Sequence, residues 1–188
     1  MAEIYQDMDV LALYRQEHAY LEGHFLLASG KHSPYFLQST RVMQYPKHTD
    51  LIAEALAKRL HHIDKLDFVI GPAMGGVTLA YALARALNLR ALFAEKTSDK
   101  SKMLVREAFP IEKGQRFIAV EDVLTTGGSV KKAIQAAEAL GASCAAVACV
   151  IDRGLSDLKP ISLKTLTFPT YEPSACPLCQ QGLPLEEV

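Results

Sequence analysis

Phe117-Ile118-Ala119-Val120-Glu121-Asp122-Val123-Leu124-Thr125-Thr126-Gly127-Gly128-Ser129 decides the fold. Four apolar residues read as a buried strand, and two adjacent carboxylates stand where that strand is expected to end. A Thr-Thr-Gly-Gly-Ser loop follows and opens a helical pattern. This order gathers acids, hydroxyls and backbone N–H groups at the carboxyl edge of a sheet, where open α/β sheets hold their ligands. Glycines before a helix make an anion cradle, because unpaired N–H groups and the helix dipole both favour negative charge. The acidic pair would repel a bare phosphate. It suits a ligand that also carries hydroxyls or a hard cation such as Mg²⁺. A merely capped turn accounts for residues 126–129 but not for Glu121 and Asp122, since like charges at a strand end cost stability unless solvated or partnered.

Outward from this stretch, strands and helices alternate. Residues 68–70, 91–94, 117–120 and 143–151 are predicted strands, and residues 77–87 and 129–140 are helices, the second ended by Gly141. Strands this uniformly apolar, spaced by helices, predict an open, mostly parallel sheet covered on both faces. Upstream, residues 7–22 read as a helix, residues 23–46 as irregular to extended, and residues 47–61 as a helix capped by Thr49 or Asp50. His61 and His62 end that helix and are assigned no chemistry. Residues 97–116 are rich in Lys and Arg and are expected to form a mobile, solvent-facing loop, with Met103-Leu104-Val105 as a short strand or hairpin arm.

Two more turns are expected at the same edge. Gly71-Pro72-Ala73-Met74-Gly75-Gly76 lets backbone approach a ligand closely. Asp152-Arg153-Gly154 places a guanidinium where it can hold a carboxylate or phosphate through paired N–H···O bonds. Taken singly, each is explained as well by a tight turn or a surface ion pair. Their convergence with the Thr125–Ser129 loop favours a sugar-phosphate site.

The bulk properties are those of a soluble one-domain enzyme. The chain has 188 residues, 49% hydrophobic and 22% charged, with a net charge of −1. That balance argues against a general nucleic-acid binder. The longest apolar run, residues 145–151, is too short to span a bilayer. Met1 to Asp7 is acidic and polar, unlike a signal peptide, so a cytoplasmic location is expected.

These residues resemble the type I phosphoribosyltransferases, whose signature is an apolar strand, two acids and a Thr-x-Gly-Gly loop. Within that family, Ser29-Gly30-Lys31-His32-Ser33-Pro34-Tyr35-Phe36-Leu37, the Gly71–Gly76 turn, Asp152-Arg153 and the Cys176-Pro177-Leu178-Cys179 tail are similar to the orotate branch. The resemblance covers almost the whole chain. It implies a single domain, residues 1–188, with an α/β core at 47–155 and a small hood formed by 1–46 and about 160–188. The implied reaction moves phosphoribosyl from phosphoribosyl pyrophosphate (PRPP) to orotate, giving orotidine 5′-monophosphate on the route to UMP.

The resemblance also implies roles. Glu121, Asp122, Val123, Leu124, Thr125, Thr126, Gly127, Gly128, Ser129 and Lys96 would bind PRPP. Arg153, Thr125, Phe36 and Lys31 would bind orotate, with His32 a further candidate contact in the base-binding segment. Lys96, Lys100 and Asp122 would be catalytic. Mg²⁺ would be held through PRPP near Glu121 and Asp122, with no direct protein ligand. A homodimer is expected, without nucleic-acid or membrane partners. The chain departs from well-known bacterial members at Ala28, Gly75 and Glu95, where those carry Lys, Lys and Arg. The loop's usual Lys-x-His is not clearly present, although Lys100, Lys102 and Arg106 stand nearby. Two rivals follow: transfer to another base, such as a purine, and a PRPP-sensing regulator that binds nucleic acid.

Cys144 and Cys149 fall in an apolar strand and read as buried thiols. Cys176-x-x-Cys179 has metal-ligand spacing, but a structural zinc site takes four ligands and the sequence has no second such pair. Two chains of a dimer would supply four thiolates. The expectation is free thiols in a proline-rich tail.

Overall fold

The computed structural model describes residues 8–188. The N-terminal reading on Met1 to Asp7, and residue 7 of the first expected helix, lie outside them. Elements in chain order are α1 (Val10–Gln16), β1 (Tyr20–Leu26), β2 (His32–Leu37), α2 (Thr40–Met43), α3 (Pro46–Leu60), β3 (Phe68–Pro72), α4 (Gly75–Leu87) and β4 (Arg90–Lys96). They continue with β5 (Met103–Leu104), β6 (Arg116–Leu124), α5 (Gly128–Glu138), β7 (Ser143–Asp152), β8 (Ile161–Thr165), α6 (Pro177–Gln180) and β9 (Glu186–Glu187).

The larger sheet has the order β5-β4-β3-β6-β7-β8. All neighbours in it run parallel except the β4–β5 hairpin. Period-two alternation sorts the strands' side chains between two cores. Val69, Ile118, Val120, Ala148 and Val150 pack with α3 and α4 residues such as Ile52, Leu56, Leu79 and Leu83. Phe68, Ile70, Phe117 and Ala119 face the other way, against Val130, Ala133 and Ala137 of α5. Burial on both faces explains why these strands read as continuous apolar runs. After β3 the chain passes through α4 to β4 on one side, while β6 lies on the other, so the strand order reverses at β3 and opens a crevice at the carboxyl edge.

A second sheet, order β2-β1-β9, joins both ends of the described chain. His32 and Tyr171 exchange backbone N–H···O bonds of 2.9 Å, which tie the start of β2 to the tail. No helix among the described residues is long and apolar enough to cross a membrane.

Several expectations need correction. The helix expected over 7–22 ends at Gln16, because His18 takes a left-handed φ of 51° and the Ala19 N–H turns back to the Tyr14 carbonyl. Leu21 therefore belongs to a strand. The 23–46 segment is extended, as expected, through the β1–β2 hairpin, but it also holds the short helix α2. Helix α3 starts at Pro46, with fixed φ suited to a first turn, not at a Thr49 or Asp50 cap. The Thr49 hydroxyl instead donates to the Met43 and Tyr45 carbonyls, and Asp50 pairs with Arg85. The short arm expected at 103–105 is present as β5, in a tight hairpin with β4: Thr97 N–H donates to the Lys102 carbonyl at 3.1 Å, and the Asp99 carboxylate accepts from Thr97 and Ser101. Strand β8 has no counterpart among the predicted elements.

The β3–α4 turn shows why glycine is required. A Cβ on Gly71 would stand 2.5 Å from the Gly76 carbonyl oxygen, whereas one on Gly75 would meet only Asp122 Oδ1 at 3.6 Å. Gly71→Ala should lower unfolding free energy by about 2–4 kcal/mol, against less than about 1 kcal/mol for Gly75→Ala. Denaturant unfolding of the two variants checks this, and equal losses would refute the close-approach argument.

Candidate active site

The decisive stretch does not end its strand at the acids. Strand β6 continues through Leu124 because β7 continues beside it, pairing Glu121 with Cys149, Val123 with Ile151 and Leu124 with Asp152. Adjacent strand residues point to opposite faces. Glu121 accordingly lines a cavity of about 760 Å³, while the Asp122 carboxylate lies beside Gly75 at the start of α4. The two acids thus link two of the three turns instead of facing one point.

The cavity is lined on one side by Glu121, Val123, Thr125, Thr126, Gly127, Gly128 and Ser129. Gly127 has φ 77°, and a Cβ there would stand 2.8 Å from Ser156 Oγ, so only glycine makes this entry to α5. The facing wall is Leu27, Ala28, Ser29, Lys31, Phe36 and Leu37 from the β1–β2 hairpin, with Arg153, Leu155 and Thr170 between. An anion cradle therefore faces a mixed apolar and cationic wall across one cleft.

Arg153 is set with care. Its backbone N–H donates to the Leu124 carbonyl at 2.9 Å, its Nε donates to the Leu166 carbonyl at 3.0 Å, and its guanidinium lies 4.0 Å over the Phe168 ring. Phe168 in turn packs against Tyr20 and Tyr35. The residue is only 5% exposed, and no carboxylate pairs with it among the described residues. Burial pulls its pKa down from the ordinary guanidinium value. A buried cation without a counter-ion at a cavity wall is suited to an anionic ligand.

Other expected residues fall less centrally. Lys96 ends β4, near enough for its charge to draw Glu121 down. Lys100 sits at the hairpin tip with φ 58°, its carbonyl accepting from Lys132 Nζ. Neither lines the cavity. Arg106 is held by Glu95 through two N–H···O contacts, at 2.5 and 3.1 Å. The Leu124 side chain is fully buried, leaving its backbone at the edge. Lys31 pairs with Glu172 at 2.8 Å. His32 is buried away from the cavity and meets His24, Cys176 and Cys179, so the tail thiols are not without neighbours of their own kind of chemistry. The Gly71–Gly76 turn also stands outside the cavity wall.

Sequence reading missed Leu166 and Phe168, which hold Arg153 from the segment after β8, and Thr170, which lines the same cavity. Only an Arg at a strand end with an aromatic some fifteen residues later hinted at them. It also missed His24, whose signal was a second histidine facing His32 across a hairpin.

These features are those of a phosphoribosyl-transferring fold. A family described as "Phosphoribosyl transferase domain" matches residues 38–170, and the chain belongs to the phosphoribosyltransferase family. It is 51% identical over 185 residues to an orotate phosphoribosyltransferase of Thermus thermophilus, covering 96% of this chain and 100% of that protein. The orotate phosphoribosyltransferase of Deinococcus radiodurans is 46% identical over 191 residues, with 96% and 98% covered. Among solved structures, orotate phosphoribosyltransferase from Aeropyrum pernix superposes with a TM-score of 0.71 at 25% identity, over 82% of this chain and 92% of that one.

Burial first, then repulsion from Asp122, push the Glu121 carboxyl from 4.5 up to about 8, against the pull of the Val130 N–H and Lys96. The folded chain therefore keeps a proton at Glu121 that the unfolded chain releases above 4.5. Stability should fall as pH rises between these values, since the native state binds more protons there. Thermal unfolding from about pH 5 to about pH 8 should show this decline, and Glu121→Gln should flatten it. Identical slopes in both proteins would refute the assignment.

Proposed function

We propose that this chain transfers phosphoribosyl from PRPP to orotate, forming orotidine 5′-monophosphate and pyrophosphate, in the synthesis of UMP. The observation that carries the reading is Arg153, a buried guanidinium without a carboxylate partner among the described residues, which lines the same cleft as the glycine loop. A neutral purine base gives that cation nothing to neutralise. Orotate brings a carboxylate.

In this reading the backbone N–H groups and hydroxyls of Thr125 to Ser129 hold the 5′-phosphate at the N-terminus of α5. Glu121, at the cleft, hydrogen-bonds the ribose hydroxyls, while Asp122 adds negative charge from beside the α4 turn. Arg153 holds the orotate carboxylate, while Phe36 and Lys31 flank the ring and Thr125 contacts both substrates. Lys96 and the hairpin residue Lys100 bring positive charge to the pyrophosphate. Mg²⁺ would fit here, held through PRPP near Glu121 and Asp122, because burial and then repulsion from Asp122 make negative charge at Glu121 costly and a nearby hard cation would offset it; it would supply charge neutralisation to the leaving group.

The bond from C1 of the ribose to pyrophosphate breaks with its electron pair going to pyrophosphate. The orotate ring nitrogen, losing its proton, forms the new bond to C1. This chain's groups position the two reactants and balance charge, and the cleft limits water at the oxocarbenium-like centre. A homodimer working in the cytoplasm belongs to the same proposal.

Following orotate absorbance with PRPP and Mg²⁺ tests the reaction. Turnover of a purine base with no loss of orotate would overturn it. Arg153→Ala should raise the KM for orotate roughly 10- to 150-fold, the loss of a charge-assisted hydrogen bond, with little change in the KM for PRPP. Arg153→Lys, which keeps the charge, controls for loss of the stacking on Phe168.

A further inference from the structure

Away from the cleft, the small sheet and the tail bring four ligand-bearing side chains together. His24, from β1, and His32, from the start of β2, meet Cys176, which caps α6, and Cys179 within its first turn. Their Nε2, Nδ1 and Sγ atoms all lie within 4.8 Å of one another. His24, His32 and Cys176 are buried, at 2%, 4% and 1% exposure.

The hydrogen-bond geometry fixes which atoms face inward. His24 Nδ1 lies 2.9 Å from the Leu183 carbonyl oxygen, which can only accept. In the neutral ring Nδ1 therefore carries the proton, and Nε2 presents its lone pair to the cluster. Three groups converge on that single lone pair: His32 Nδ1 at 2.9 Å, Cys176 Sγ at 3.6 Å and Cys179 Sγ at 3.6 Å. Cys179 Sγ also approaches His32 Nδ1 to 3.3 Å. One lone pair cannot satisfy three donors, but all four atoms can share one cation. A tetrahedron with the usual Zn–S and Zn–N lengths has edges of about 3.3–3.8 Å, close to most of these separations. The Leu183 carbonyl then has the part of an outer partner that orients a metal-bound imidazole.

We propose that His24, His32, Cys176 and Cys179 bind one Zn²⁺ ion in a closed Cys₂His₂ site that fastens the tail to the β1–β2 hairpin. Two thiol protons leave on binding, and the two thiolates neutralise the ion, so a charge-balanced centre sits in a largely buried position. With four protein ligands it keeps no open position, which makes it structural. None of the four lines the cleft, yet both segments they join do so nearby, through Ser29 and Lys31 on the hairpin and Thr170 ahead of the tail. The site therefore holds the wall facing the glycine loop.

The test uses the full chain, purified with zinc supplied, and does not depend on which base the enzyme takes. Metal analysis should find about one zinc per chain, falling below about a tenth in Cys176→Ser and Cys179→Ser, with no change in Cys144→Ser. The Co²⁺-loaded wild type should show thiolate-to-cobalt charge transfer and the strong visible bands of a tetrahedral ion, which decides the matter even if the serine variants fail to fold. A strong chelator should lower the thermal midpoint, and added zinc should restore it. Wild type that takes up no stoichiometric zinc, a Co²⁺ spectrum without thiolate bands, or a Cys176–Cys179 disulfide in place of metal would each overturn the proposal.

Discussion

The carboxyl edge depends on the ladder between β6 and β7 running past the core. Strand β6 runs past its two acids to the buried Leu124, β7 runs one residue past the buried Ile151, and the final bond, from the Arg153 N–H to the Leu124 carbonyl at 2.9 Å, lies outside the ladder's last regular pair. That bond brings a guanidinium and the glycine loop within one cleft. Without it the third turn would be free to swing, and Arg153 would lose its fixed relation to Glu121. Stacking on Phe168 and the Leu166 carbonyl hold the other end of the same side chain, so the cation is restrained from both its own backbone and the segment after β8. Rigid placement of this kind removes ordering cost from the moment of ligand binding.

Glu121 and Asp122 illustrate how a sheet divides labour between neighbours. One residue's step along a strand turns a side chain to the opposite face, so adjacent acids end in different surroundings. Glu121 borders the cleft and holds its proton unusually tightly. Asp122 stands by the α4 turn, where Gly71 and Gly76 let two backbone segments touch. The pair therefore couples turns that belong to different strands.

The large sheet was legible because its strands are buried on both faces and its turns carry Gly, Pro and paired acids. Phe68 to Ile70 and Phe117 to Val120 could hardly read otherwise. The first helix misled because Tyr14 and Leu21 keep a helical spacing across a chain reversal at His18, and backbone handedness at one residue leaves no periodic trace. Strand β8 is short and half-buried, with Lys164 in it, so it lacked the apolar run that marked its neighbours. The candidate site was readable where it is local, in Thr125 to Ser129, and opaque where it is assembled over distance. Phe168 under Arg153, and His24 beside a Cys-x-x-Cys pair 152 residues away, are tertiary facts with no local pattern.

The small sheet takes its third strand from Glu186–Glu187, which pairs with Phe25 and Leu26. During synthesis the ribosome releases those residues only after every strand of the large sheet. Domains generally fold as units, so one wall of the cleft waits on the last residues to pair. The order of translation thus makes β9 the last piece of that wall to become available, and a chain that stops short of it lacks the strand that closes the small sheet.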